Sequence, residues 1–191
     1  KINYKIKCSG NPRDEKEFYN QIIAPLFKKL FNLNLVPHNL GDGTYGIGFG
    51  SRAVVEFLNK VIGLPRGSKY CSLEIPKPFL NKESLILSFI RGIFDTDFGF
   101  CLSKKYRKAS YYPQLCFVSK SEKFTYQIWN GLKTLGIEFD GKVYQVKVKD
   151  ERAKEGFTTT YRFDLYGHKY LIRVLKIIKL RHPKHIQKLK L

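Results

Sequence analysis

An apolar segment that ends in two carboxylates constrains this chain more than any other feature. Residues 85–94 read LILSFIRGIF, and Asp95 and Asp97 follow almost directly. The segment is too short to span a membrane, so it predicts a buried helix. Asn81 is the predicted N-cap of this helix, and Glu83 in the first turn suits the helix dipole.

Small side chains form a second pattern along the same predicted helix. Ser88, Gly92 and Thr96 recur at every fourth position and therefore share one face. Such a stripe lets another helix approach closely. A glycine inside a helix costs about 1 kcal/mol relative to alanine, so close packing is a reason to keep Gly92 there. We interpret the stripe as a helix interface.

The two carboxylates lie where the predicted helix ends, and that end of a helix dipole is itself partly negative. Asp95 and Asp97 therefore repel the dipole and each other unless a cation is near. Oxygen ligands favour Mg²⁺ (or Mn²⁺) over Zn²⁺. The alternative is a core helix that ends in a solvated acidic turn.

Residues 90–97, IRGIFDTD, resemble the signature of the LAGLIDADG homing endonucleases. The resemblance implies two such helices packed at a pseudo-twofold axis, with the last acid of each binding the catalytic metal ions. Position by position, it makes Asp97 the metal-binding acid, Asp95 its structural neighbour and Gly92 the close-contact glycine. Phe98 replaces the final glycine of the family pattern.

The charge of the chain indicates a polyanionic partner. Lys and Arg number 35 against 16 Asp and Glu, a net charge of +19 over 191 residues. Such an excess opposes a compact fold by self-repulsion, and nucleic acid would relieve it. No long apolar run or single basic amphipathic stripe favours a membrane. Cysteines without C-x-x-C spacing and the lack of a signal peptide predict an intracellular protein that is not secreted.

Two halves of the chain follow one order of predicted elements. Residues 15–22 resemble 122–128, and residues 45–58 resemble 161–175, the latter pair each reading as a strand, a small residue and an apolar helix. A repeat of this length decides the fold. We predict an α+β protein whose two similar halves surround a pseudo-twofold axis.

The predicted repeats are residues 1–80 and 81–191. The second begins with the acidic motif helix, whereas the first begins directly with a strand. The chain also contains no methionine. We therefore expect a sister helix, ending in an acid, upstream of Lys1. Two near-complete halves predict a monomer with internal pseudo-symmetry, in preference to a homodimer that supplies both acids.

The alternation of side chains along the predicted strands indicates faces that could contact DNA. Val146 and Val148 take one face of the strand 142–149, and the polar residues take the other. The resemblance implies two curved antiparallel sheets that form a saddle over a long double-stranded DNA site. Ordinary solvated strand faces would show the same alternation. The predicted DNA contacts are Lys5, Lys7, Lys104, Lys105, Arg107, Gln114, Gln145, Lys147, Lys149 and Arg162.

Lysines that follow the second helix of each half complete the predicted site. The resemblance implies a lysine here that approaches the scissile phosphate and helps to organise solvent. Lys69 and Lys184 match this position, and Lys188 competes with Lys184. Plain phosphate contacts are the alternative role.

Residues 41–46, GDGTYG, satisfy the pattern G-x-G-x-x-G of nucleotide-binding loops. That pattern binds a nucleotide only where a helix opens immediately afterwards, but residues 45–49 alternate as a strand. We therefore interpret Asp42-Gly43 as a hairpin turn.

Together these features predict a sequence-specific DNA endonuclease that hydrolyses phosphodiester bonds with divalent ions held between two facing carboxylates. Asp97 would supply one carboxylate and the expected upstream helix the other, so this chain alone should bind DNA but cleave it poorly. The alternative is a non-cleaving nucleic-acid-binding protein on the same scaffold, such as an intron maturase or a transcription regulator. A third interpretation is a domain of an intein, although the residues needed for splicing are absent from this chain.

Overall fold

A computed structural model describes residues 4–67, 72–103 and 112–189. The chain divides into two compact units, Lys1–Leu64 with Arg181–Leu191, and Pro65–Leu180. Each unit combines helices with one antiparallel sheet. The predicted α+β class is therefore confirmed.

The first unit is built on a three-stranded sheet in the order β1-β3-β2. Its elements are β1 (Lys5–Gly10), α1 (Lys16–Phe18), a π-helical stretch (Tyr19–Ile23) that continues into α2 (Ala24–Phe31), β2 (His38–Leu40), β3 (Thr44–Gly50), and α3 (Arg52–Glu56) with a second π-helical stretch (Phe57–Val61). The turn between β2 and β3 is the predicted Asp42-Gly43 hairpin. Gly43 adopts a φ of 76°, and its N–H donates to the Leu40 carbonyl at 3.2 Å.

The second unit is built on a four-stranded sheet in the order β4-β5-β7-β6. Its elements are α4 (Lys77–Leu80), α5 (Glu83–Thr96), β4 (Gly99–Ser103), β5 (Tyr112–Ser119), α6 (Glu122–Thr134), β6 (Tyr144–Lys149), β7 (Phe157–Tyr166) and α7 (His168–Ile178). Helices α6 and α7 pack on one face of the sheet, against β5 and β7. None of the helices in the described ranges is both long enough and apolar enough to cross a membrane.

The two units share one connectivity. Each contains a strand, a helix, a hairpin and a second helix, and the last strand of the hairpin lies at the centre. Strand β1 therefore corresponds to β5, β2 to β6 and β3 to β7. The sequence led us to expect that the first half lacks only a motif helix. Within its described residues, however, the first unit has no counterpart of α5 or of β4, because its first strand matches the second strand of the other sheet.

The C-terminal segment packs with the first unit. Its helix α8 spans Pro183–Lys188. The His182 ring stacks on Phe18 with a centroid distance of 4.4 Å, and Lys184 Nζ donates to Asp14 Oδ2 at 2.8 Å. Contacts thus place residues 181–191 with the first unit, whereas the predicted repeats place them with the second half of the chain.

The segment before α5 packs within the second unit. The Ser121 hydroxyl donates to the Leu73 carbonyl at 2.6 Å, and the Ile75 N–H donates to Gln127 Oε1 at 2.7 Å. Both bonds tie this segment to α6 and its N-cap. The second unit therefore starts at Pro65, before the predicted boundary of the repeats.

The predicted motif helix is present, but its predicted N-cap is wrong. Asn81 is the C-cap of the short helix α4, and Lys82 precedes α5 without a side-chain capping bond. The sequence KPFL forms a short helix of its own, and α5 begins one residue later than predicted. Glu83 does lie in the first turn of α5, as predicted.

Aromatic rings hold the C-terminal end of α5 in the core of the second unit. Phe98 is only 4% exposed and stacks on Phe94 with a centroid distance of 3.6 Å. It also contacts Phe117 and Phe163, at centroid distances of 5.3 and 5.9 Å. The departure from the family pattern at residue 98 is thus a core residue, and it fixes the backbone directly after Asp97.

Candidate active site and nucleic-acid interface

The two acids at the end of α5 lie in opposite environments. Asp95 is 1% exposed and belongs to the core, whereas Asp97 is exposed. Asp97 is the C-cap of the helix, and its backbone N–H donates to the Ile93 carbonyl at 2.8 Å. The Thr96 hydroxyl donates to Asp97 Oδ2 at 2.6 Å. The sequence thus folds to present one carboxylate to solvent at a fixed helix end.

The position of Asp97 fits part of a magnesium site. Mg²⁺ is commonly held through one or two carboxylates and completes its shell with waters and substrate phosphates. No group of three or more His, Cys, Asp or Glu side chains that could hold a metal ion occurs in residues 4–67, 72–103 and 112–189. Asp97 would therefore supply one carboxylate to such a site, and a phosphodiester and waters would have to add the other ligands.

The small-residue stripe lies on the open side of α5. Ser88 and Thr96 are exposed, and a Cβ placed on Gly92 would meet no atom within 4 Å. The Ser88 hydroxyl donates to the Ser84 carbonyl at 2.9 Å, and the Thr96 hydroxyl, which donates to Asp97, also lies 3.0 Å from the Gly92 carbonyl oxygen. The stripe is therefore accessible within the second unit, and its role as a helix interface stays a prediction.

A different glycine makes the close helix contact in the second unit. Gly131 on α6 is buried, and a Cβ placed there would lie 2.7 Å from Ile90 Cδ1 on α5. Ile90 is itself fully buried. The sequence does not indicate this contact, because Gly131 stands in a helix with an ordinary amphipathic pattern.

The open face of the four-stranded sheet carries a closed polar network. Asp164 is 7% exposed and accepts from Arg162 Nη2 at 2.7 Å and from Gln114 Nε2 at 3.0 Å. The Tyr144 hydroxyl also donates to Asp164. Arg162 and Gln114 were predicted as DNA contacts. The structure shows both engaged with a buried carboxylate, although Arg162 remains about one-third exposed.

Protonation in this network is set by burial and by the hydrogen bonds together. Burial raises the pKa of Asp164, but the hydrogen bonds from Arg162, Tyr144 and Gln114 outweigh it and hold that pKa below its ordinary value. Burial and the hydrogen bond to Asp164 raise the pKa of Tyr144 to about 12. The hydrogen bonds to Asp164 raise the pKa of Arg162. The network therefore contains one anion and one cation at neutral pH.

The predicted DNA contacts on β6 and β7 lie on two different faces of the four-stranded sheet. Its register places Tyr144 opposite Arg162 and Val146 opposite Thr160, so the valines share the open face with Arg162. The polar residues of β6 point to the other face, where they are exposed because β6 is the edge strand. Gln145, Lys147 and Lys149 are these three residues. The register therefore places these three predicted DNA contacts on the face opposite Arg162.

On the open face of the three-stranded sheet, the edge strand β1 carries two lysines. Lys5 lies opposite Gly50, and Lys7 lies opposite Gly48. Lys7 forms an ion pair with Asp42 in the hairpin turn. The hydrogen bond from Lys7, with a second from Thr44, lowers the pKa of Asp42 to about 2. The two lysines predicted as DNA contacts in the first unit therefore do lie on one face.

The predicted catalytic lysines are only partly described. Lys184 lies at the start of α8, and its hydrogen bond to Asp14 lowers the pKa of that carboxyl. Lys188 is half-buried at the end of the same helix. Four predicted residues fall outside the described ranges, namely Lys69, Lys104, Lys105 and Arg107.

Two histidines in the first unit serve the fold. His182 is the N-cap of α8, where its Nδ1 accepts the N–H of Lys184 at 3.1 Å. His185 is also buried, 5.1 Å from His182 between ring centroids. In the sequence, the signal for this structural role is that His182 directly precedes Pro183 at the start of a helix.

Comparisons with known proteins add no support to the family resemblance, which rests on the motif at residues 90–97. A scan against models of protein families finds no match for this chain. A search of curated proteins finds no significant match either.

Proposed function

We propose that this protein is a DNA endonuclease of the LAGLIDADG class, which hydrolyses phosphodiester bonds at a specific double-stranded site with Mg²⁺ or Mn²⁺. The observation that carries the proposal is Asp97, an exposed carboxylate that ends an apolar helix whose preceding acid, Asp95, is buried. The match of residues 90–97 to the family signature gives this carboxylate its proposed role.

The chain's own residues would position the reacting groups. Asp97 would hold the ion together with a phosphate oxygen, and Phe98 keeps the backbone beside it in the core. When bound, the ion lowers the pKa of a water and offsets the charge that develops on the phosphate. Lys184 would approach the scissile phosphate after leaving Asp14, its partner in the free protein.

Charge and topology support double-stranded DNA as the partner. The net charge of +19 favours a polyanion, and both sheets present basic residues. The connectivity shared by the two units supports the proposed saddle around a pseudo-twofold axis, with a single chain as the binding species. The proposed contacts with DNA in the described ranges are Lys5, Lys7, Gln114, Gln145, Lys147, Lys149 and Arg162.

A pair of matched variants tests the role of Asp97. Target sites are first enriched by binding from a library of random duplexes and then cloned into a supercoiled plasmid. We expect Mg²⁺-dependent nicking or cutting by the full-length protein, and a rate lower by about 100-fold or more for its Asp97→Asn variant, since the ion would lose a protein ligand. Binding of the site by Asp97→Asn should persist.

Asp140→Asn is the control, because it removes another exposed aspartate of the same unit. This variant should cleave as the wild type does. Cleavage by Asp97→Asn at the wild-type rate would remove Asp97 from the reaction and contradict the proposal.

A non-cleaving nucleic-acid-binding protein is the second candidate. It is favoured because no group of three or more possible metal ligands occurs among the described residues, whereas the proposed reaction needs two facing carboxylates. Tight binding that weakens steeply with salt, with no nicking by the wild type in Mg²⁺ or Mn²⁺, would establish this function in place of the endonuclease.

A further inference from the structure

The central strands of the two sheets differ on their open faces. The register of β3 with β1 and β2 matches that of β7 with β5 and β6, so the two strands can be compared position by position. On β7 the open face carries Arg162, Asp164 and Tyr166. At the matching positions β3 carries Gly46, Gly48 and Gly50. The first sheet therefore lacks the layer of side chains that covers the centre of the second.

Only one of these glycines is required by the fold. A Cβ on Gly46 would overlap the carbonyl oxygen of Cys8. A Cβ on Gly48 would lie 3.5 Å from Leu40 Cδ2, and one on Gly50 would lie 3.9 Å from the Tyr4 carbonyl oxygen. Both distances are ordinary contacts, and neither glycine has a positive φ. None of the contacts within residues 4–64 and 181–189 explains why residues 48 and 50 have no side chain.

Glycine at such positions weakens a strand. It is less favourable than alanine there by about 0.5–1 kcal/mol. Glycine inside a strand often marks a place where a ligand or another backbone approaches closely. Because no contact among the described residues of the first unit requires a glycine at positions 48 and 50, we attribute both glycines to a partner that lies against the sheet.

The side chains around the glycines show which partner fits. They border a concavity of about 520 Å³. Lys5 and Lys7 on β1 form one wall, and His38 and Leu40 on β2 form the other. Neighbouring strands lie about 4.8 Å apart, so the walls are separated by about 10 Å. We name this feature the glycine trough: the floor Gly48 and Gly50 with these four wall residues.

We propose that the glycine trough receives the sugar-phosphate backbone of one strand of double-stranded DNA, with Lys5 and Lys7 contacting its phosphates. The inference rests on the proposed function, and names the part of the chain where the DNA comes closest to the protein. The cationic wall complements the phosphates, and the bare floor lets the backbone approach the plane of the sheet. In the free protein Lys7 is paired with Asp42, so a phosphate must displace that carboxylate.

Binding of a fluorescent mixed-sequence duplex, measured by anisotropy at several salt concentrations, tests the trough. Gly48→Ala and Gly48→Val should weaken binding progressively, by about tenfold for valine. Their unfolding midpoints should equal or exceed that of the wild type, because both side chains fit the strand. Lys5→Gln should lower the slope of log K against log salt by about one, the loss of one phosphate contact.

Asn39→Val is the matched control. Asn39 is exposed on β2 of the same sheet, but it lies opposite Tyr45 and therefore on the other face. It should bind DNA as the wild type does. Equal affinities for Gly48→Val and wild type would overturn the trough, as would a lowered unfolding midpoint for Gly48→Ala, which would show that the glycine serves the fold.

The same experiment separates this inference from the proposed function. If the protein binds DNA but the DNA backbone does not enter the glycine trough, Gly48→Val binds normally while Lys5→Gln still lowers the slope of log K against log salt. If the wild type fails to bind the duplex even at low salt, the proposed function itself is wrong, and the trough falls with it.

Discussion

At the scale of single residues, three aspartates of the second unit show how the environment decides what a carboxylate does. Asp95 is enclosed in the core, Asp164 is buried against Arg162, and Asp97 faces solvent. A carboxylate inside the fold is engaged by the fold and is closed to solvent, whereas an exposed one can accept a cation. The sequence shows the three as equal acids, and only the packing around them separates their roles.

The network around Asp164 should stabilise the second unit. Asp164→Asn removes the charge that Arg162 pairs with, so we expect the free energy of unfolding at pH 7 to fall by about 2–3 kcal/mol. Because the folded pKa of Asp164 is lowered, its contribution is present above the unfolded value of about 3.9 and disappears as pH falls through the folded value. The difference between variant and wild type should therefore shrink at pH 3.

Urea unfolding at pH 7 and pH 3 measures both effects. The exposed Asp140→Asn serves again as the reference and should change stability by less than about 0.5 kcal/mol. A difference for Asp164→Asn that is as small as this at pH 7, or that persists undiminished at pH 3, would contradict the role assigned to the network.

At the scale of elements, the helix α5 could be predicted from its sequence but its neighbours could not. An apolar run bounded by charged residues indicates a helix whatever surrounds it. The glycine of that helix suggested a close contact, yet Gly92 lies open within its unit while Gly131 contacts Ile90. Which glycine a neighbouring helix approaches depends on how distant segments pack, and local periodicity does not contain that information.

The two helix glycines make a matched pair for substitution by alanine. Gly92→Ala should raise the free energy of unfolding by up to about 1 kcal/mol, because alanine is the better helix former and the site is open. Gly131→Ala should lower it by about 1–3 kcal/mol, because its Cβ would press on the fully buried Ile90.

Thermal unfolding of both variants beside the wild type measures the pair. A loss of stability in Gly92→Ala would contradict the open position of the stripe in the free protein. It would indicate instead that another helix already packs there.

The strands show the same division between local and distant information. Alternation along β6 correctly separated Val146 and Val148 from the three polar residues, but it could not tell which set faces the helices. The pairing with β7 decides this, and it places the valines beside Arg162. Similarly, Phe98 was visible only as a departure from a motif until its stacking on Phe94 placed it in the core.

At the scale of the whole molecule, the repeated order of elements was visible in the sequence and is present in the connectivity of both units. The lack of a β4 counterpart in the described first unit was not foreseen, because a single alternating segment matches either strand of a pair. The C-terminal segment was assigned to the second repeat by its position in the chain. Its contacts with Phe18 and Asp14 are long-range and leave no local signal.

The most direct test of the central claim is to locate the metal ion on the chain in the complex with DNA. Fe²⁺ replaces Mg²⁺, and the hydroxyl radicals produced with ascorbate and peroxide cut the protein backbone beside the bound ion. We expect cuts centred near residue 97 that persist in Asp140→Asn and disappear in Asp97→Asn. Cuts centred elsewhere, unchanged by Asp97→Asn, would contradict it.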